Sequence, residues 1–349
     1  MVYGGRKEYV SILDCYLQRN LVRNGGWLDE VMWIHQINRT MDVVYLHDLA
    51  DHVPEYTSHE LYTHAGDGLD TFTNAYKLCQ PNTYCVKIDD DIVFMEDNAI
   101  QALVQRKIEN AQYLIVSANV LNQPDLSWVH YQLDTARPYL PELQKPVDFV
   151  DDDRRFMVDW RPSTLPVWEG PEDLNFSATD PAPFNGHRWL PVPGGDIENT
   201  PIAALGRSRG SEHVKNHTGY ISWTVAAQAH YSFLENLEQK RLQRYKFDIW
   251  NSRYEARSIH FIAFSGDDAT IHPVQGYDDI WWTSTLPSKL RRPAVVDGTA
   301  MVVHFGTHLQ TQSLGGNPGP GLRETDLLRR YRSYANEFIC GQPSGSPML

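Results

Sequence analysis

Apolar positions at Tyr9, Ile12, Leu13, Tyr16 and Leu17 recur at the spacing of one helix face, just after a Gly4-Gly5 turn. Gly25-Gly26 is expected to end that helix. Glu30-Val31-Met32-Trp33-Ile34-His35, rich in branched and aromatic residues, predicts a strand, and a second helix is expected near Asp42 to Ala50. Leu69, Phe72 and Tyr76 return to helical spacing ahead of a strand over Tyr84-Cys85-Val86-Lys87-Ile88. Ile100, Leu103, Val104 and Ile108 predict the next helix, and Tyr113 to Ala118 the next strand. A glycine turn before a helix usually follows a strand in α/β proteins, so the first strand is expected upstream of Met1 or as a stub.

From Pro124 to Gly219 the periodicity loosens into Pro- and Trp-rich pieces such as Pro191-Val192-Pro193-Gly194-Gly195. A structureless stretch of that length is improbable in a compact domain, which predicts an insertion with short elements of its own, suited to acceptor recognition. Tyr220 to Tyr245 predicts a long helix burying Val225, Ala229, Phe233 and Leu237, with its polar residues on a solvated face. Arg257 to Ser265 predicts a strand running into Gly266-Asp267-Asp268. Ala300 to Phe305 predicts another, with His304 near its end and His308 close behind. The tail from Gly341 has the composition of a flexible segment.

This alternation predicts an α/β fold, a mostly parallel sheet flanked by helices with a large irregular insertion in the second half. It is expected as a single domain over 1–340: a ligand-binding half over 1–123, the insertion over 124–219, an acceptor and catalytic half over 220–340, and the tail over 341–349. Ligands of such sheets bind outside the carboxyl ends of the strands.

Asp89-Asp90-Asp91 stands at such an end, inside the apolar run Val86 to Phe94. In an extended chain Lys87, Asp89 and Asp91 share one face, so two carboxylates converge. Like charges roughly 6 Å apart repel by about 3 kcal/mol at an effective dielectric near 20, which calls for a positive partner. A hard cation, Mn2+ or Mg2+, completed by water and phosphate oxygens, answers that need; an exposed acidic turn is the other reading. Asp151-Asp152-Asp153, followed by Arg154-Arg155, reads as a surface loop neutralised by its own arginines.

At 349 residues with 42% hydrophobic content the chain can bury a large core, and its charge of −13 argues against nucleic-acid or anionic-membrane partners. No apolar run reaches the length of a membrane span and no cleavable leader is evident. Cys15, Cys79, Cys85 and Cys340 lack metal-ligand spacing. Cys79 and Cys85 could pair, but burial as small apolar residues is the expectation. Sequons at Asn38, Asn175 and Asn216 permit glycosylation without deciding a compartment.

Asn74-Ala75-Tyr76-Lys77, Tyr84 and Lys87-Ile88-Asp89-Asp90-Asp91-Ile92-Val93-Phe94 resemble the β-1,3-galactosyltransferase-like families of glycosyltransferases with the GT-A fold, a Rossmann-like sheet. Asp89-x-Asp91 looks like their DxD motif, and Asp278-Asp279-Ile280-Trp281 and His304 follow in the family's order. The clear match covers residues 69 to 120; the stretch 124–230 resembles nothing in the family. The resemblance implies that Asp91 ligates Mn2+ with His304, that Asp89 and Asp90 touch ribose or metal-bound water, and that Asp279 is the catalytic base. Asp89 counts also among the metal residues, Asp278 among the catalytic ones, and Arg6, Lys7 and Lys87 among those that bind a nucleotide-sugar donor, expected to be UDP-linked.

The implied reaction moves a sugar to a hydroxyl of a carbohydrate or glycoconjugate acceptor with inversion. Asp268, at the end of an apolar strand, competes with Asp279 for the base. Asp278-Asp279 could instead cap a helix, and His304 could be a core histidine. A metal-dependent phosphotransferase or phosphohydrolase, or an inactive nucleotide- or glycan-binding module, are the other classes. The location is the Golgi lumen if the chain is the trimmed part of an anchored enzyme, and otherwise the cytoplasm.

Overall fold

The computed structural model describes residues 1–35, 40–61, 73–147, 158–171, 174–177, 179–207, 222–311 and 321–341. Leu69, Phe72, the Asp151 triplet, Asn38, Asn216 and the tail beyond residue 341 lie outside these. In chain order the strands are β1 (Val2–Tyr3), β2 (Val31–His35), β3 (Tyr56–Glu60), β4 (Tyr84–Asp89), β5 (Ile92–Met95), β6 (Ile115–Leu121), β7 (Tyr139–Pro141), β8 (Trp189–Pro191), β9 (Trp250–Asn251), β10 (Phe261–Ser265) and β11 (Ala294–His304). The main helices are α1 (Lys7–Arg19), α2 (Thr40–His52), α3 (Ala99–Glu109), α4 (Pro124–Gln132), α5 (Trp223–Glu238), α6 (Gly266–Ile271) and α7 (Leu327–Phe338).

The chain divides into two compact units, one of residues 1–120, 247–303 and 338–349, the other of 121–246 and 304–337. In the first, α1 buries Tyr9, Ile12, Leu13, Tyr16 and Leu17, the apolar face its spacing predicts. The helix stops at Arg19, before the glycine pair. Gly25, at φ 86°, instead ends a short 3-10 turn over Val22–Asn24, and a Cβ on Gly26 would lie 2.1 Å from the Asn20 carbonyl. β1 is the expected stub.

Among the described residues nine strands form one sheet in the order β3-β2-β1-β4-β10-β6-β11-β5, with β9 paired to β11. The expected mostly parallel sheet is a mixed one. β1 pairs in parallel with β2 and β4, and β2 with β3, whereas β10 runs antiparallel to β4 and β6. A parallel neighbour needs a crossover that returns the chain to its starting edge. Residues 247–260 form no helix, and β10 enters from the edge at which β4 ends. Tyr3, Tyr76, Ile262, Phe264, Trp281 and Trp282 pack with others into a core against this sheet.

Two disulfides, Cys15–Cys340 and Cys79–Cys85, use all four cysteines, against the expectation of unpaired burial. The first joins α1 to a residue 325 positions away; sequence spacing carries no trace of such proximity.

The second unit holds the short elements expected of the 124–219 stretch, including the antiparallel pair β7 and β8, together with α5 and α7. The solvated face expected of α5 is limited to residues such as Glu235 and Glu238, which are part-exposed, whereas Gln228, His230, Ser232 and Asn236 are buried. Gln228 donates to the Arg137 carbonyl at 2.8 Å and Asn236 to the Thr135 carbonyl at 2.9 Å. Buried amides persist where such partners exist, which periodicity cannot register.

Candidate functional site

Strand β4 ends at Asp89, and Asp90-Asp91 turn the chain into β5. Because the extended geometry stops there, Asp91 does not continue the alternation expected of Lys87, Asp89 and Asp91. Asp90 and Asp91 instead share Arg6: its Nη2 lies 2.5 Å from Asp90 Oδ1 and 2.8 Å from Asp91 Oδ2. Asp90 Oδ2 also accepts from the Gly5 and Arg6 amides, each at 2.8 Å. The turn must be glycine. Gly4 has φ +112°, and a Cβ on it would lie 2.5 Å from the Asp90 carboxyl carbon.

Asp89 faces other partners. Its Oδ1 lies 2.6 Å from Lys87 Nζ and its Oδ2 is 2.9 Å from His260 Nδ1. Burial works to raise the Asp89 carboxyl, but Lys87 and His260 outweigh it and hold it below the usual carboxylate range. Lys87 is buried, donates to the Ile259 carbonyl at 2.9 Å and stands 5.4 Å from the centre of the Tyr3 ring. Burial opposes its charge, yet Asp89, Asp278 and Asp279 keep its pKa above the ordinary lysine value. The positive charge that the aspartate triplet needs is thus supplied within the chain by Arg6 and Lys87, with the His260 ring hydrogen-bonded to Asp89 beside them.

Asp278 and Asp279 open a helical segment whose second part, Trp281–Thr285, is a π-turn with Trp281 and Trp282 buried in the core. The two carboxylates differ. Asp278 Oδ2 accepts from the Tyr76 hydroxyl at 2.9 Å and its Oδ1 from the Asp279 amide at 3.0 Å, so both its oxygens are engaged. Asp279 Oδ1 accepts from the Ile259 amide at 3.0 Å. Burial first, then the charges of Asp278 and Asp89, push the Asp279 carboxyl up to about 7 against the pull of Lys87.

The remaining candidates have other partners or belong to the other unit. Asp268 sits at the start of α6, after the end of β10. Because β10 is antiparallel to β4, Ser265 stands beside Tyr84, at the opposite edge of the sheet from Asp89. There Arg292 grips Asp268 through Nη1 at 2.5 Å and Nη2 at 2.9 Å, with Lys107 at 3.5 Å. The same reversal brings His260, just before β10, to Asp89. Sequence reasoning missed His260 because the direction of its strand decides which edge it reaches. Lys7 donates its amide to Asp42 at 3.0 Å and lays its ammonium over the Tyr45 ring. His304 is buried at the end of β11 and belongs to the second unit. His308 begins a short helix in that unit.

Among the described residues no group of three or more His, Cys, Asp and Glu is placed to hold a metal ion. Asp89 and Asp91 nevertheless offer the hard oxygens of a Mg2+ or Mn2+ site in which one or two carboxylates suffice and water and phosphate complete the shell. No protein-family model matches the chain, and no curated protein matches it.

Proposed function

We propose that this protein is a metal-dependent glycosyltransferase of GT-A type, moving a sugar from a nucleotide-sugar donor to a hydroxyl of a carbohydrate acceptor. The observation that carries this reading is the convergence of Asp89, Asp278 and Asp279 about the buried ammonium of Lys87, from segments about 190 residues apart in sequence. They meet where the strand order reverses between β1 and β4, the crevice in which open α/β sheets bind nucleotides. The Gly4-Gly5-Arg6 turn closes the same edge, supporting a diphosphate beside Arg6.

Bound at Asp89 and Asp91, Mn2+ would offset charge on the departing nucleoside diphosphate. Asp279 accepts the proton of the acceptor hydroxyl, while Asp278, held by Tyr76, keeps the pair in register. One base and direct attack invert the anomeric centre. The UDP form of the donor comes from the resemblance of Lys87 to Phe94. The two disulfides support an oxidising compartment, hence the lumenal location.

The test is product release from a panel of UDP- and GDP-sugars, with and without Mn2+ and acceptor sugars. Nucleotide release is expected to require both. Phosphate release without acceptor would make the protein a phosphohydrolase, and binding without turnover an inactive module. Asp91→Ala is expected to lose Mn2+-dependent nucleotide binding in calorimetry, and Asp279→Ala to keep binding and lose transfer.

A further inference from the structure

The second unit carries a motif that the transferase reading does not use, Asn175-Phe176-Ser177. Such a triplet accepts an N-linked glycan only where the asparagine is exposed and the chain folds in a secretory compartment, and triplets of this kind also arise by chance. Two observations separate this one from chance.

The first is local. Phe176 is half-buried, with its ring edge-on to the Trp223 ring at 5.7 Å and to the Trp189 ring at 6.3 Å. Both tryptophans are fully buried, so the middle residue of the triplet pins the segment to the core of its unit. Asn175, its neighbour, is exposed. On the other side Ser177 closes a turn: its amide donates to Asp180 Oδ2 at 2.6 Å, its carbonyl accepts from the Asp180 amide at 3.1 Å, and its Oγ lies 2.8 Å from Thr179 Oγ1. A bulky polar group on Asn175 would extend into solvent without displacing the Phe176 anchor.

The second observation concerns the compartment. Cys15–Cys340 and Cys79–Cys85 leave no free cysteine, the pattern of chains that fold where thiols are oxidised. N-linked glycans are added in that same environment.

We infer that Asn175 carries an N-linked glycan, transferred from a lipid-linked pyrophosphate oligosaccharide. A bond forms between Asn175 Nδ2 and the anomeric carbon of the sugar, while the bond from that carbon to the pyrophosphate oxygen breaks. The lipid pyrophosphate leaves with the electron pair, and the amide gives up one proton. The transfer reads a hydroxyl two positions after the asparagine, and in the folded chain the Ser177 hydroxyl is engaged with Thr179. The sugar is therefore added before that turn closes. The glycan depends on the oxidising location proposed above and is independent of the transferase activity.

The test uses the protein purified from the cells that make it, and from cells carrying Asn175→Gln or Ser177→Thr. Enzymatic removal of N-glycans is expected to leave aspartate at position 175 in the wild-type peptide, read by mass spectrometry. Asn175→Gln should migrate faster by one glycan, and Ser177→Thr, which keeps the hydroxyl, should retain the modification. The wild-type peptide decides the matter even if a variant does not accumulate. An unmodified Asn175 in protein whose four cysteines are all bridged overturns the site while the oxidising location stands. An unmodified Asn175 together with four free thiols overturns the site and that location as well. Neither result touches the transferase reading, which the donor panel tests separately.

Discussion

Arg6 and Asp90, 84 positions apart, form a forked pair in which Nε lies 3.0 Å from Oδ2 and Nη2 2.5 Å from Oδ1. Asp90 is buried while Arg6 keeps about a third of its side chain in solvent. Removing the arginine leaves a buried carboxylate with only backbone partners. Arg6→Ala is expected to cost about 3 kcal/mol, the low end for breaking a buried pair. Arg6→Ala/Asp90→Asn should cost less than the two single changes summed. Urea unfolding of the three variants measures this; strict additivity would refute the coupling.

The acid pair sets a pH dependence with opposite signs for activity and stability. As a base Asp279 acts ionised, so turnover is expected to climb with pH and reach half its plateau near 7. Its folded pKa lies above the unfolded value of 3.8, so protonation favours the folded state. Its contribution to stability is fully present below pH about 4 and is lost as pH rises through about 7. Asp279→Asn should flatten that part of the stability profile and abolish turnover. A turnover limb that stays below pH 5 in the wild type would count against Asp279 as the base.

Asp268 is a structural residue in this arrangement. Asp268→Ala leaves Arg292 and Lys107 without their shared carboxylate at the far edge of the sheet, and is expected to lower stability by about 1–2 kcal/mol. The kcat of the purified folded variant should match the wild type. A hundredfold loss of kcat at unchanged stability would restore Asp268 as a candidate base.

The disulfides differ in the loops they close, spanning 325 and 6 residues. By the chain-entropy account, Cys15→Ser is expected to destabilise by roughly 3 kcal/mol more than Cys79→Ser. Thermal unfolding under non-reducing conditions compares them. Thiol titration of the denatured, unreduced protein should find no free cysteine, and four reactive thiols would contradict both bridges.

Much of the local structure was legible in the chain. The apolar face of α1 and the strands β2, β4 and β10, with the aspartates at the end of β4, follow from periodicity, which nearest-neighbour geometry fixes. Their partners were not. Asp91 leaves the face it shares with Asp89 in an extended chain because Arg6, 85 positions away, holds it beside Asp90. Asp268 and His260 exchange places relative to the site because β10 runs antiparallel to β4. Gln228 and Asn236 of α5 turn inward because carbonyls of residues 137 and 135 meet them there. The sequence by itself determined where helices, strands and chemically capable side chains would form. Strand direction, charge pairing and cysteine bonding were decided only by the tertiary structure, because each depends on contacts between residues tens to hundreds of positions apart that no local pattern encodes.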